Sequence, residues 1–168
     1  MLRELHDELG IPADYEATTG LPPFDEARVL ADAGQDIIGR KLELAPDALA
    51  AWRSMTAAAA AEDVSLLPVS GFRSYDYQAR VIRKKLNAGQ SIEQILCVNA
   101  APGYSEHHTG RAIDIASPGS RPLTEEFELS QGFTWLEAHA GRFGFRLSYP
   151  RDNPHGIAYE PWHWAFQG

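Results

Sequence analysis

The chain has 168 residues and a mass of 18.5 kDa, close to the common size of one domain. With 44% hydrophobic and 10% aromatic residues it can bury a real core, which excludes disorder over most of its length. A net charge of −8 and a pI near 5.2 argue against a nucleic-acid partner, and no apolar run is long enough for a membrane span. The single cysteine, Cys97, excludes an internal disulfide or a Cys-rich zinc finger, and core packing is its expected role. The opening MLRELHDELGIP carries acids and no apolar h-region, so it does not read as a signal peptide. A cytoplasmic monomer is the expectation, periplasmic or secreted if a leader has been trimmed.

Residues 1–45 read as an N-terminal arm and helix. Pro12, Gly20 and Pro22-Pro23 punctuate the arm, and Val29, Leu30, Ala33, Ile37 and Ile38 then recur at helical spacing around Gly34. Residues 46–168 read as the core of what is a single domain overall. Asp47 to Glu62 predicts a helix, with Leu49, Trp52 and Met55 on one face. Leu66 to Ser70 predicts a buried strand, and Ser74 caps a helix over Tyr75 to Leu86. A short helix is expected over Ser91 to Val98.

Arg111 to Ala116 then alternates, with Ala112, Asp114 and Ala116 on one face and Ile113 and Ile115 on the other, which is strand periodicity. Ser130 to Arg142 predicts a helix stopped at Gly144. Phe145 to Tyr149 and Ile157 to Phe166 predict two strands joined by PRDNPHG. Helices first and strands later point to an α+β fold.

The chemistry concentrates in three segments. In SEHHTGRAID, His107 lies in the loop entering the strand and Asp114 on the strand, with Gly110 letting the backbone turn between them. An imidazole and a carboxylate placed this way suit zinc, and an aspartate between Ile113 and Ile115 is costly without a partner. In EPWHW, Glu160 and His163 would point to opposite faces of a straight strand. Pro161 marks a strand edge or bulge, where a local twist turns both toward one pocket. His163 would then be a third ligand and Glu160 the general base beside the metal. Taken alone, the same stretch reads equally well as the edge of an aromatic core, with Trp162 and Trp164 packed and Glu160 exposed. In SGFRSYDYQ, Arg73 sits at a strand-to-helix junction, from which a cation can reach a developing oxyanion or a substrate carboxylate. An isolated arginine in a turn is more often a surface residue or a cap.

SGFRSYDYQ, SEHHTGRAIDIA and GIAYEPWHW, in that order, resemble the VanY-type D-alanyl-D-alanine carboxypeptidases, zinc metallopeptidases of the Hedgehog/DD-peptidase fold. Ser105, His107, Gly110, Ala112 and Asp114 match the pattern Ser-x-His-x-x-Gly-x-Ala-x-Asp. That match arises by chance with a frequency on the order of 10⁻⁷ per starting position, from average residue usage. The resemblance covers roughly Leu66 to Trp164 and the alanine-rich helix before it. It implies a small antiparallel sheet with helices packed on one side. It also implies one Zn²⁺ held by His107, Asp114 and His163, with Glu160 and Arg73 catalytic and Arg73, Gln78 and Ser105 contacting substrate. Where the family tail often carries a basic residue after Trp-His-Trp, this chain has Ala165-Phe166.

The implied function is a zinc carboxypeptidase removing a terminal D-alanine from a peptidoglycan stem peptide or precursor. L,D-cleavage is slightly favoured over D,D-cleavage because of the expected cytoplasmic location. An endopeptidase of the same fold and a non-catalytic muropeptide-binding module are the alternatives. Of the remaining histidines, His108 reads as a residue behind the ligands or on the surface, His139 as partly buried and His6 as exposed, while His155 has no nameable partner. Trp135, Phe143 and Phe145 are spaced as core residues, and Glu125, Glu126 and Glu128 read as a solvated run.

Overall fold

A computed structural model describes residues 2–168. Helices α1 (Leu2–Leu9) and α2 (Tyr15–Thr19) lead to strands β1 (Ala31–Gln35) and β2 (Lys41–Leu44), then α3 (Pro46–Ala60) and β3 (Leu67–Ser70). Next come α4 (Tyr75–Asn87), α5 (Ile92–Leu96), β4 (Ala112–Ala116), α6 (Gln131–His139), β5 (Phe145–Leu147) and β6 (His163–Phe166). Single-turn 3₁₀ helices cover Glu106–Thr109, Glu125–Leu129 and Ala140–Phe143.

The helix starts follow their local chemistry. Pro46 occupies the first turn of α3, where its missing N–H costs nothing. Ser74 Oγ accepts the Tyr77 N–H to cap α4, and Ser91 with Gln94 forms a capping box on α5. Helix α3 buries Leu49, Trp52, Met55 and Ala59 on one stripe.

The main sheet is antiparallel with order β3-β4-β6-β5. Pro68, which cannot donate to a ladder, sits on the edge strand β3. On one face, Ile113 and Ile115 of β4 and Trp164 of β6 join α3 and α6 in the larger core. Asp114 and His163 are direct cross-strand partners, so both point from the opposite face. A second core joins Leu9, Ile11, Tyr15 and Leu21 to Ala79 and Ile82 of α4 and Ile95 of α5. The site lies between the two cores.

The helix expected over Val29 to Ile38 does not form; the segment enters the hairpin β1–β2 instead. Gly34 and Gly39 both take positive φ, and the Asp36 carboxylate accepts the Ile38 and Arg40 N–H groups to close the turn. Val29 and Ile38 are 66% and 69% exposed, so their helical spacing had no core to face. The long strand expected over Ile157 to Phe166 shrinks to His163–Phe166. Pro161 lacks a donor, while the Ala158 and Glu160 N–H groups bond the Cys97 and Tyr149 carbonyls. Cys97 itself is exposed rather than packed, because α5 turns Ile95 inward. His6 is half-buried, with Nε2 2.7 Å from the Pro102 carbonyl, not solvent-exposed. No helix among the described residues is long and apolar enough to cross a membrane.

Candidate metal centre and active site

Local backbone chemistry brings the three candidate ligands together. His107 rides a 3₁₀ turn closed by Gly110 in the left-handed conformation. A Cβ on Gly110 would lie 2.9 Å from both Ala45 N and Leu30 Cδ2, so only glycine fits this crossing. At the other end, the His163 N–H donates to the Glu160 carbonyl over 3.1 Å, which makes Glu160 to His163 a tight turn around Pro161. Glu160 and His163 therefore line the same cavity, as the expected local twist requires.

His107 Nε2 and His163 Nδ1 each lie 3.2 Å from Asp114 Oδ1, and one ligand atom from each residue falls within 4.8 Å of the others. All three residues are buried. The second nitrogen of each ring is already committed. His107 Nδ1–H donates to the Gly71 carbonyl over 2.7 Å, and His163 Nε2–H donates to Glu106 Oε2 over 2.8 Å. A neutral ring so committed turns its lone pair onto a carboxylate oxygen. Acceptor facing acceptor is repulsive unless a cation lies between them. Two imidazoles, a carboxylate and fixed outer partners form the donor set zinc prefers, so the residues fit the metal.

Burial, aided by the nearby Arg73 charge, pulls the His107 imidazole down to about 4, which keeps it neutral. Burial also opposes charging of His163, but its bonds to Asp114 and Glu106 prevail and raise it to about 10, so that with no cation between them a proton lies between His163 Nδ1 and Asp114. Glu160 is the contrasting carboxylate. Its side chain is 13% exposed, its Oε2 lies 3.9 Å from His163 Nδ1, and burial lifts it to about 7. A carboxylate so raised can take and return a proton near neutral pH.

The cavity beside these groups has a volume of about 240 Å³. Arg73, Gln78 and Ser105 line it, so every residue expected at the site faces one space. The Arg73 guanidinium reaches Asp114 Oδ2 at 3.2 Å and Gln78 Oε1 at 3.3 Å, while its Nε is buried without a partner. Gln78 donates its other end to the Ala100 carbonyl at 2.8 Å, which holds Arg73 in place.

Two residues carry more than the sequence suggested. Glu106 orients His163 and lies 3.6 Å from Arg146. Arg146 is the cross-strand partner of Ala165, the position where the family tail often has a basic residue. An acid directly preceding a candidate ligand was the available signal for Glu106. His108 is fully buried, not on the surface. Its Nε2 accepts the Gly103 N–H, which leaves Nδ1–H to donate to the Arg73 carbonyl over 2.6 Å. His108 thus anchors the Arg73 backbone from behind. His155, for which the sequence names no partner, bonds the Thr19 carbonyl through Nδ1 at 2.9 Å.

A four-stranded antiparallel sheet that presents a His-Asp-His cluster, with a raised glutamate alongside, has the architecture of the Hedgehog/DD-peptidase fold. The family description "VanY: D-alanyl-D-alanine carboxypeptidase" matches residues 41–168, and the chain belongs to this family. It is 35% identical over 172 residues to the candidate carboxypeptidase YodJ of Bacillus subtilis (strain 168), covering 100% of this chain and 60% of YodJ. The chain thus spans less than two thirds of that relative.

Among solved structures, the LD-carboxypeptidase LdcB superposes with a TM-score of 0.76 at 31% identity, covering 88% of this chain and 72% of LdcB. A variant of the vancomycin-resistance D,D-pentapeptidase VanY in complex with Zn(II) superposes with a TM-score of 0.65 at 27% identity, covering 94% and 83%.

Proposed function

We propose that the protein is a zinc-dependent carboxypeptidase that removes a terminal D-alanine from peptidoglycan stem peptides, with L,D-cleavage of a tetrapeptide favoured. The observation that carries this reading is the convergence of His107 Nε2, Asp114 Oδ1 and His163 Nδ1 beside Glu160 in one cavity. The likeness to LdcB supports the L,D preference, and the zinc-bound VanY relative supports the metal.

His107, Asp114 and His163 would hold zinc, which supplies a Lewis acid and lowers the pKa of water toward neutrality. Glu160 takes the proton from the attacking water, and burial has already matched it to that task. The water attacks the carbonyl of the last peptide bond. Arg73, fixed by Gln78 and by the His108 bond to its carbonyl, turns a guanidinium toward the oxygen that gains negative charge. Glu160 then gives its proton to the amine of the departing D-residue, which restores the carboxylate. Ser105 and Gln78 line the path of the peptide.

Mass spectrometry of a tetrapeptide and pentapeptide mixture incubated with zinc-loaded protein tests this, with a chelator in a parallel sample. Loss of one D-alanine from the tetrapeptide, stopped by chelator, is the expected result. Shortening of the pentapeptide alone would replace L,D with D,D specificity. An internal cut would establish an endopeptidase, and no change in either peptide would leave a binding module.

A further inference from the structure

One cation of the cavity wall has no part in the chemistry described above. Lys85 lies seven positions beyond Gln78, about 10 Å along α4, and lines the same cavity. Its neighbour Lys84 is exposed at the last turn of the helix, where a cation suits the helix dipole, whereas Lys85 is half-buried. Among the described residues no carboxylate lies within ion-pair distance of the Lys85 ammonium. Its side-chain bond is to Asn99 Oδ1, a neutral acceptor that also lines the cavity. Burial holds the ammonium below its usual range, with Glu160 opposing and Arg73 reinforcing that shift. A desolvated cation held by an amide and facing a cavity is an incomplete ion pair.

We infer that Lys85, steadied by Asn99, forms a carboxylate-binding subsite that completes its ion pair with the substrate peptide. The inference rests on the proposed peptidase reading and adds a specificity-determining residue to it. An ammonium gives three donors: one is taken by Asn99, and two remain for the two oxygens of a carboxylate. A stem peptide offers such a group from two sources, the free α-carboxylate of its last residue and the side-chain carboxylate of a diaminopimelate at its third position.

Calorimetric binding to zinc-loaded protein carrying Glu160→Gln, so that peptide is not consumed, separates these. The background is compared with Lys85 intact, as Lys85→Met and as Lys85→Arg. The probes are an acetylated peptide ending in D-alanine, its C-terminal amide, and two tetrapeptides with diaminopimelate or lysine at the third position.

Lys85→Met should weaken binding of the carboxylate-bearing probe roughly 10- to 100-fold, and Lys85→Arg should restore most of it. If the terminal carboxylate is the partner, amidation erases the difference between intact and Met forms; if the side-chain carboxylate is, lysine in place of diaminopimelate erases it. Equal binding of all four probes by the intact and Met forms, or an equal loss on all four, overturns the inference. Should protein with Glu160 in place leave the peptides uncut while the Lys85→Met effect persists, the peptidase reading falls and the subsite stands.

Discussion

The two walls of the cavity are built to different standards. On the sheet side, His107, Asp114 and His163 are buried, and each ring nitrogen turned away from Asp114 has a bond to Gly71 or Glu106. On the helix side, Lys85 and Asn99 are half-buried, and Val98, which also lines the cavity, is 42% exposed. Arg73 and Gln78 bridge the two, bonded to each other and, through Arg73, to Asp114. In the proposed reading this sheet-side wall holds a metal, which tolerates only small errors in ligand placement, and the bonded outer ring nitrogens fit that demand. A peptide brings its own polar groups, and in the same proposed reading the other wall keeps donors open for them.

Breaking the chemistry without breaking the metal wall gives the largest expected effect. Glu160→Gln should lower turnover by about 10²- to 10⁴-fold while zinc content stays near one ion per chain, measured by peptide kinetics and elemental analysis. Loss of the zinc would instead make Glu160 part of the metal wall. Glu106→Gln attacks that wall from behind. It should weaken zinc binding roughly 10- to 100-fold in a competition titration with a chromophoric chelator.

Gly110→Ala strains the turn that carries His107, since φ there is +67° and the new Cβ would meet Ala45 N and Leu30 Cδ2 at 2.9 Å. A destabilisation of about 1–3 kcal/mol, seen as a lower Tm, is expected. Gln78→Ala acts on the bridge between the two walls. It should reduce kcat/KM about tenfold through a looser Arg73, with zinc affinity unchanged.

The sheet wall was legible because its chemistry is local. Gly110 and the alternation of β4 fix how His107 and Asp114 meet within one short segment, and a single turn at Pro161 brings Glu160 to His163. Asp114 betrayed itself as a charge between two isoleucines. Glu106 stayed hidden because an acid in a loop looks solvated until a partner 57 residues away is folded beside it. The hairpin β1–β2 is not legible in the sequence because Val29, Leu30, Ala33, Ile37 and Ile38 imitate a helical stripe. The period-two burial of Leu42 and Leu44 and the two positive-φ glycines decide the segment as strands. Lys85 gave no sequence signal at all: adjacent lysines at a helix end look alike until packing turns one inward.

His107, Asp114 and His163 are proposed to hold one zinc ion with Glu160 beside it. An anomalous difference map at the zinc edge, from crystals of the zinc-loaded protein, tests it most directly. A single strong peak about 2.0–2.2 Å from His107 Nε2, His163 Nδ1 and an Asp114 oxygen is expected, with Glu160 outside bonding distance. A peak bound by Glu160, or zinc bound anywhere but among these three residues, would contradict it.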